Sequence, residues 1–153
     1  MKMLVCTDGS EQSQKALDKA ALLAECAVIE KVTVIHVFDG KLDIASSGWG
    51  SRDYMLTPED LERLKQMYED LKDQSQKYID SAVAFFAKNN IQADSILAEG
   101  HPAHTIVEIA HEKGYDLIVI GSRGLGGLKK LFLGSVSNAV VQDAKNCCVI
   151  VVR

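Results

Sequence analysis

Apolar residues along this chain come in two rhythms that alternate from start to finish. Residues 2–7 form a short, nearly continuous apolar run that stops at Asp8-Gly9-Ser10, the pattern of a covered strand entering a turn. Ser10 is placed to cap the next segment, with Glu11 in its first turn. Ala16, Leu17, Ala20, Ala21, Leu23, Ala24 and Ala27 then recur at helical spacing and predict an amphipathic helix of about 17 residues. Residues 32–38 are dense in β-branched side chains without clean alternation, as in a strand covered on both faces.

The same alternation continues further on. Thr57, Pro58, Glu59 and Asp60 predict a helix start: a capping hydroxyl, Pro at the first helical position and acids toward the positive pole. Leu61, Leu64, Tyr68, Leu71, Ser75, Tyr78, Ala82 and Phe85 succeed one another in steps of three and four. A coiled-coil seam would give these steps. Ser75 and Ala82 weaken that seam, while Met67, Ile79 and Phe86 widen the face, so the expectation is a long helix lying on a sheet, ended by Asn89-Asn90. Residues 91–98 read as a third strand. Gly100-His101-Pro102 turns into a helix whose apolar face is Ile106, Val107, Ile109 and Ala110 and whose end is Gly114. Residues 115–120 form a fourth strand, and 121–134 are glycine-rich. Ser135 opens a fourth long helix with Val136, Ala139, Val140 and Ala144 inward, and 147–152 form the last strand. The order β-α-β-α-β-α-β-α-β predicts one three-layer α/β domain over residues 1–153: an open, mostly parallel five-stranded sheet with helices on both faces.

Two stretches break the rhythm. Residues 39–57 carry turn residues and no period, a surface loop in which Trp49 is either a lid over a ligand or an anchor. The second, residues 121–135, has Gly121, Gly124, Gly126 and Gly127 within seven positions. Glycines let the backbone come close to a ligand and take left-handed angles, so that N–H groups can converge on an anion. Gly134 and Ser135 begin a helix whose free N–H groups favour phosphate, and Arg123, Lys129 and Lys130 add positive charge. Tight turns alone would also explain the glycines. In a parallel sheet this stretch and Asp8 both fall at the carboxyl ends of strands, where ligands bind. The Walker pattern GxxxxGK[ST] is absent. The dinucleotide pattern GxGxxG fails at Lys129 and at Asp53. A phospho-receiver domain is disfavoured, because Asp8 lacks an adjacent acid and the third strand ends in Ala98-Glu99 without an Asp.

Composition narrows the function classes. Of 153 residues, 17 are Lys or Arg and 21 Asp or Glu, a net charge of −4, where a general nucleic-acid binder carries a basic excess. No apolar run reaches the roughly 18–20 residues of a membrane span. The N-terminus turns polar too early for a signal peptide. The 4 Cys, at 6, 26, 147 and 148, match neither a zinc site nor a disulfide framework. Cys6, Cys147 and Cys148 lie in apolar runs and read as buried thiols, and a reducing cytoplasm is the expected compartment. His104, Glu108 and His111 share one helical face, a possible metal set, but no fourth ligand is indicated and they read as solvated surface; His36 reads as a core or interface residue.

The spacing Gly121-x2-Gly124-x9-Gly134-Ser135 resembles, over its full length, the nucleotide-binding motif of the universal stress protein family. The similarity extends to the strand ending in Asp8, to Ile35-His36-Val37, to Gly100-x-Pro102, to residues 116–121 and to the 149–152 ending. A departure is Cys147-Cys148, where family members often have Pro. The resemblance implies an open five-stranded α/β fold, usually dimeric, with ATP bound in the branch that carries this motif. It places Asp8 and Val37 beside the adenosine, the backbone of Val37 toward the base. Gly121, Gly124, Gly134, Ser135 and Val136 fall at the ribose and phosphates, with Ser137 and Arg123 as further phosphate contacts. The bland readings are a turn residue for Asp8 and helix capping for Ser135 and Ser137. The expected function is an ATP-binding regulatory stress protein, with or without Mg²⁺, whose nucleotide occupancy is coupled to loop 39–57 and to dimer or partner contacts. A slow Mg²⁺-dependent ATPase and a nucleotide-free dimeric scaffold are the alternatives. Pairing through 149–152, a short β-branched edge, is the expected dimer contact.

Overall fold

Among the described residues nine elements succeed one another in strict alternation: β1 (Lys2–Cys6), α1 (Glu11–Ala24), β2 (Lys31–Phe38), α2 (Pro58–Lys88), β3 (Ala93–Glu99), α3 (Pro102–Glu112), β4 (Leu117–Gly121), α4 (Ser135–Asp143) and β5 (Cys148–Val152). The structure is a computed structural model and describes residues 1–40, 57–125 and 133–153. The five strands form one sheet in the order β3-β2-β1-β4-β5, and all four pairings are parallel. The chain works outward from β1 to β3 and then crosses back to β4, so strand order reverses between β1 and β4.

Side-chain parity divides the core into two layers. Met3, Val5, Val32, Val34, Leu117 and Val119 point to the face that α1 and α2 cover, against Leu17, Ile79 and Phe86. Leu4, Cys6, Ile35, Val37, Ile118 and Ile120 point to the other, against Ile106 and Ala110 of α3 and Val140 of α4. Both faces of the central strands are thus buried, which explains their unbroken apolar runs.

The helix boundaries follow the caps. Ser10 accepts from the Ser13 N–H, and Thr57 and Asp60 form a reciprocal capping box that spans Pro58. Asn90 and Gly114 take the left-handed conformation just past α2 and α3.

Four expectations need correction. The last helix is not long: it has nine residues and ends at Asp143, with Ala144 as its C-cap. The half of α2 nearest its N-terminus does not lie on the core: among its apolar residues Leu61 and Met67 are exposed, and Ser75, Ile79, Ala82 and Phe86 near the other end are buried. The 31-residue helix overhangs a sheet whose strands are five to eight residues long. Cys148 is exposed and Cys147 only half-buried, because β5 is an edge strand and these residues stand at its start; Cys6 is buried as expected. Finally, Gly121, Gly124 and Gly134 do not take left-handed angles; among the described glycines Gly9, Gly100 and Gly114 do. Trp49, most of loop 39–57, and Gly126, Gly127, Lys129 and Lys130 lie outside the described residues. No helix among the described residues is long and apolar enough to cross a membrane.

Candidate functional site

At the carboxyl ends of β1, β2 and β4, beside the reversal of strand order, the structure has a cleft of about 450 Å³. Such a position stems from the topology, since neighbouring crossovers there depart to opposite faces and leave a gap. Asp8, Val37, Gly121, Arg123, Gly124, Gly134, Ser135, Val136 and Ser137 all line it. Residues 129 apart in sequence, from Asp8 to Ser137, therefore meet at one opening.

Val37 reaches the cleft through its backbone. Along a strand, alternate residues direct their peptide groups to the same neighbour. The carbonyl of Ile35 accepts the Thr7 N–H at 2.9 Å on the β1 side, and that of Phe38 accepts the Gly100 N–H at 2.9 Å on the β3 side. Val37, two residues beyond Ile35, directs its peptide groups toward β1, which has already turned away at Asp8. Its side chain stays in the core.

The β1–α1 turn is held from several directions. His36 is buried, and its Nδ1 lies 2.7 Å from the Thr7 carbonyl, so Nδ1 carries the proton and donates it. The His36 ring meets Tyr78 edge-on at 5.3 Å, and Tyr78 packs against Gly9, where a Cβ would collide with its ring. Asp8 Oδ1 accepts the Ser10 N–H at 3.0 Å, and Oδ2 accepts the Leu125 N–H at 3.2 Å.

The β4–α4 connection leaves and returns through one point. The Gly134 N–H donates to the Ser122 carbonyl at 2.7 Å, and the Ser137 hydroxyl lies within bonding distance of the carbonyls of Ser122 (2.9 Å) and Gly134 (3.1 Å). Ser122 in turn donates its N–H to the Val152 carbonyl at 2.6 Å, tying this point to the end of β5.

Each glycine has its own reason. A Cβ on Gly121 would lie 2.8 Å from the backbone carbonyl of Gln12, so glycine lets α1 settle on β4. On Gly124 it would collide with Asp8 Oδ2. Gly134 is different: its φ is −74°, and the nearest atom to an added Cβ is the Arg123 Cα at 3.4 Å. Neither a positive φ nor close packing therefore requires glycine there, and the residue borders the cleft. Gly134 caps α4 without a side chain, so no side chain of its own covers the first N–H groups of that helix. Nearby, the Arg123 Nε is buried without a hydrogen-bond partner among the described residues.

Beyond the expected set, the cleft is lined by Thr7, Ser13, Pro102, Ile106, Leu125 and Leu133. Pro102 and Ile106 could have been inferred from the Gly100-His101-Pro102 turn, which starts α3 above the end of β2. On the outer face of α3, His104 Nδ1 and Glu108 Oε2 are 3.7 Å apart, and both side chains are largely exposed. Among the described residues no group of three His, Cys, Asp or Glu is placed to hold a metal.

The sequence pattern of the Universal stress protein family matches residues 1–153. The chain belongs to the universal stress protein family. Universal stress protein YxiE of Bacillus subtilis is 40% identical over 152 residues, covering 99% of this chain and 98% of its own. Among solved structures, the universal stress protein UspA of Lactobacillus plantarum superposes with a TM-score of 0.80 at 24% identity, over 100% of this chain and 97% of that one. Other universal stress proteins of the same fold were solved with nucleotides. That of Archaeoglobus fulgidus holds dAMP (TM-score 0.67, 24% identity, 100% and 98% covered), and a second holds cAMP (0.64, 22%, 100% and 97%). A family protein of Arabidopsis thaliana holds AMP (0.62, 19%, 99% and 90%).

Proposed function

We propose that this universal stress protein is an adenine-nucleotide-binding regulatory protein, with ATP as the ligand and Asp8, Val37, Gly121, Arg123, Gly124, Gly134, Ser135, Val136 and Ser137 around it. The observation that carries the reading is Arg123. A buried guanidinium N–H without an acceptor costs about 1–3 kcal/mol, and this one lies in the same cleft as the uncapped start of α4. Cation and helix pole together call for an anion. The open side of Gly134 leaves room for it, and the backbone of Val37 offers donor and acceptor to a base edge. The nucleotides held by fold neighbours agree in chemical class.

Within the described lining, Asp8 is the one carboxylate, and both its oxygens already accept backbone N–H groups. That donor set suits a nucleotide better than it suits a magnesium ion, and binding better than hydrolysis, because phosphoryl transfer needs metal-holding acids and a positioned nucleophile. Coupling has a physical route as well: the Ser122–Val152 hydrogen bond joins the base of the nucleotide loop to the last residue of the edge strand. ATP shifts a dimer equilibrium only if it prefers one state.

Melting the purified protein with and without nucleotide tests the proposal. ATP at 100 times Kd stabilises by about 2.7 kcal/mol, a rise of roughly 5–11 °C at this length. Gly134→Ala should melt within a degree or two of wild type and lose most of that rise. No rise with any adenine nucleotide would leave the dimeric scaffold as the reading, and steady Mg²⁺-dependent phosphate release scaling with protein would make it an ATPase.

A further inference from the structure

Asp8 occupies an unusual place for a residue beside a ligand, because its carboxylate is already shared between two backbone segments. Oδ1 holds the Ser10 N–H of its own turn, and Oδ2 crosses to the Leu125 N–H, 117 residues away. The two segments are otherwise unequal. The β1–α1 turn is fixed from below, since His36 donates to the Thr7 carbonyl and Tyr78 backs Gly9. The chain after Ser122 has left the sheet, and Leu125 is 68% exposed. Between them, Gly124 lies so close to Asp8 Oδ2 that a Cβ would overlap it. The missing side chain makes room for the carboxylate.

We propose that Asp8 is a positioning residue: its carboxylate latches the Arg123–Leu125 backbone to the fixed β1–α1 turn, and Gly124 is glycine to admit that latch. Its role toward the nucleotide, which rests on the proposed ATP binding, is to hold Arg123 where an anion can meet it before the ligand arrives. Preorganisation of this kind adds affinity by removing an ordering cost from the binding step.

Asp8→Asn keeps the bulk of the side chain while removing its charge and one of its two acceptor oxygens. An amide has one oxygen, so it can serve Ser10 or Leu125 but not both. In ligand-free protein the Leu125 amide should exchange with solvent about tenfold faster in this variant. The second measurement is a double-mutant cycle on stability. Gly124→Ala should lower the melting temperature in the wild-type background and have no further effect in Asp8→Ala, where the carboxylate it collides with is gone. Nucleotide affinity should fall roughly tenfold in Asp8→Asn.

An unchanged Leu125 exchange rate, or a Gly124→Ala penalty of the same size in both backgrounds, overturns the latch. If Asp8 acted only through contact with the nucleotide, Asp8→Asn would lower affinity and leave Leu125 exchange in the free protein untouched. The exchange and stability arms need no ligand, so they decide the latch even if the cleft takes no nucleotide.

Discussion

Cys6 shows how the environment of one residue sets its chemistry. Burial pushes its thiol pKa well up from the ordinary 9.0, and the negative charge of Asp8 raises it further. The thiolate is the nucleophile, so Cys6 should ignore alkylating reagents in the folded protein although it lines the cleft. Exposed Cys26 and Cys148 should be labelled first, with Cys6 joining them only in denaturant, as peptide mass spectrometry would read directly. The sign of the pH effect is fixed too. Above pH 9.0 the unfolded chain gives up a proton that folded Cys6 retains, so this residue's contribution to stability falls as pH rises beyond that point. Urea midpoints between pH 7 and 10 should therefore decline more steeply for wild type than for Cys6→Ala; parallel slopes would show that the thiol titrates freely. Residue identity did not announce this contrast among the cysteines. Cys6 and Cys148 both sit beside apolar neighbours in sequence, and only the central place of β1 and the edge place of β5 separate them.

At the level of elements, α2 is two structures in one helix. Near its C-terminal end Ile79, Ala82 and Phe86 fill the core, whereas the first turns meet the sheet through side contacts such as the Tyr68 hydroxyl donating to Glu99 Oε2 at 2.7 Å and the Tyr68 ring against Phe38. That hydrogen bond raises the Tyr68 pKa, since the phenolate would lose the proton it donates and face the charge of Glu99. Phe86→Ala should cost about 3–5 kcal/mol through lost burial and a cavity. Leu61→Ala, at 49% exposure, should stay within about 0.5 kcal/mol. Comparable losses in denaturant titration would mean that both halves of α2 bear on the core. The division was not legible in the sequence, because spacing shows which residues share a face and not whether a sheet lies under it. Local chemistry was far more legible: Ser10, Thr57-Pro58-Asp60, Pro102 and Gly114 mark helix ends through hydrogen bonds that span a few residues. The site was legible to the same depth. Glycine spacing pointed to a loop that lines the cleft, but the opposition of Gly124 and Asp8, the register that turns Val37 toward the cleft, and the seat of Gly9 on Tyr78 exist only once distant strands pair.

For the whole molecule, the decisive feature is the edge of the sheet. β5 is short and β-branched, with Val149, Ile150, Val151 and Val152 only partly buried, and its far side has no strand among the described residues. An unpaired edge of this composition invites uncontrolled association, and a twofold mate would satisfy it with a closed, self-complementary pairing. The other edge is managed differently: β3 exposes Asp94 and Ser95, and Asp94 is bridged by Lys31 at 2.6 Å, which leaves a polar margin. We therefore expect a dimer through residues 149–152. Val151→Lys should shift sedimentation toward the monomer while far-UV dichroism stays native, since a lysine on a partly buried edge can carry its charge out to water. Unchanged sedimentation would move the contact elsewhere. Because Val152 holds the Ser122 N–H at the root of the β4–α4 loop, a dimer through this edge and the cleft share a hydrogen bond. In that case ATP should alter the dissociation constant of the wild-type dimer, and the dimer should alter the affinity for ATP by the same factor. Measuring both couplings on one sample closes the thermodynamic cycle; a dimer indifferent to ATP would separate the edge from the site.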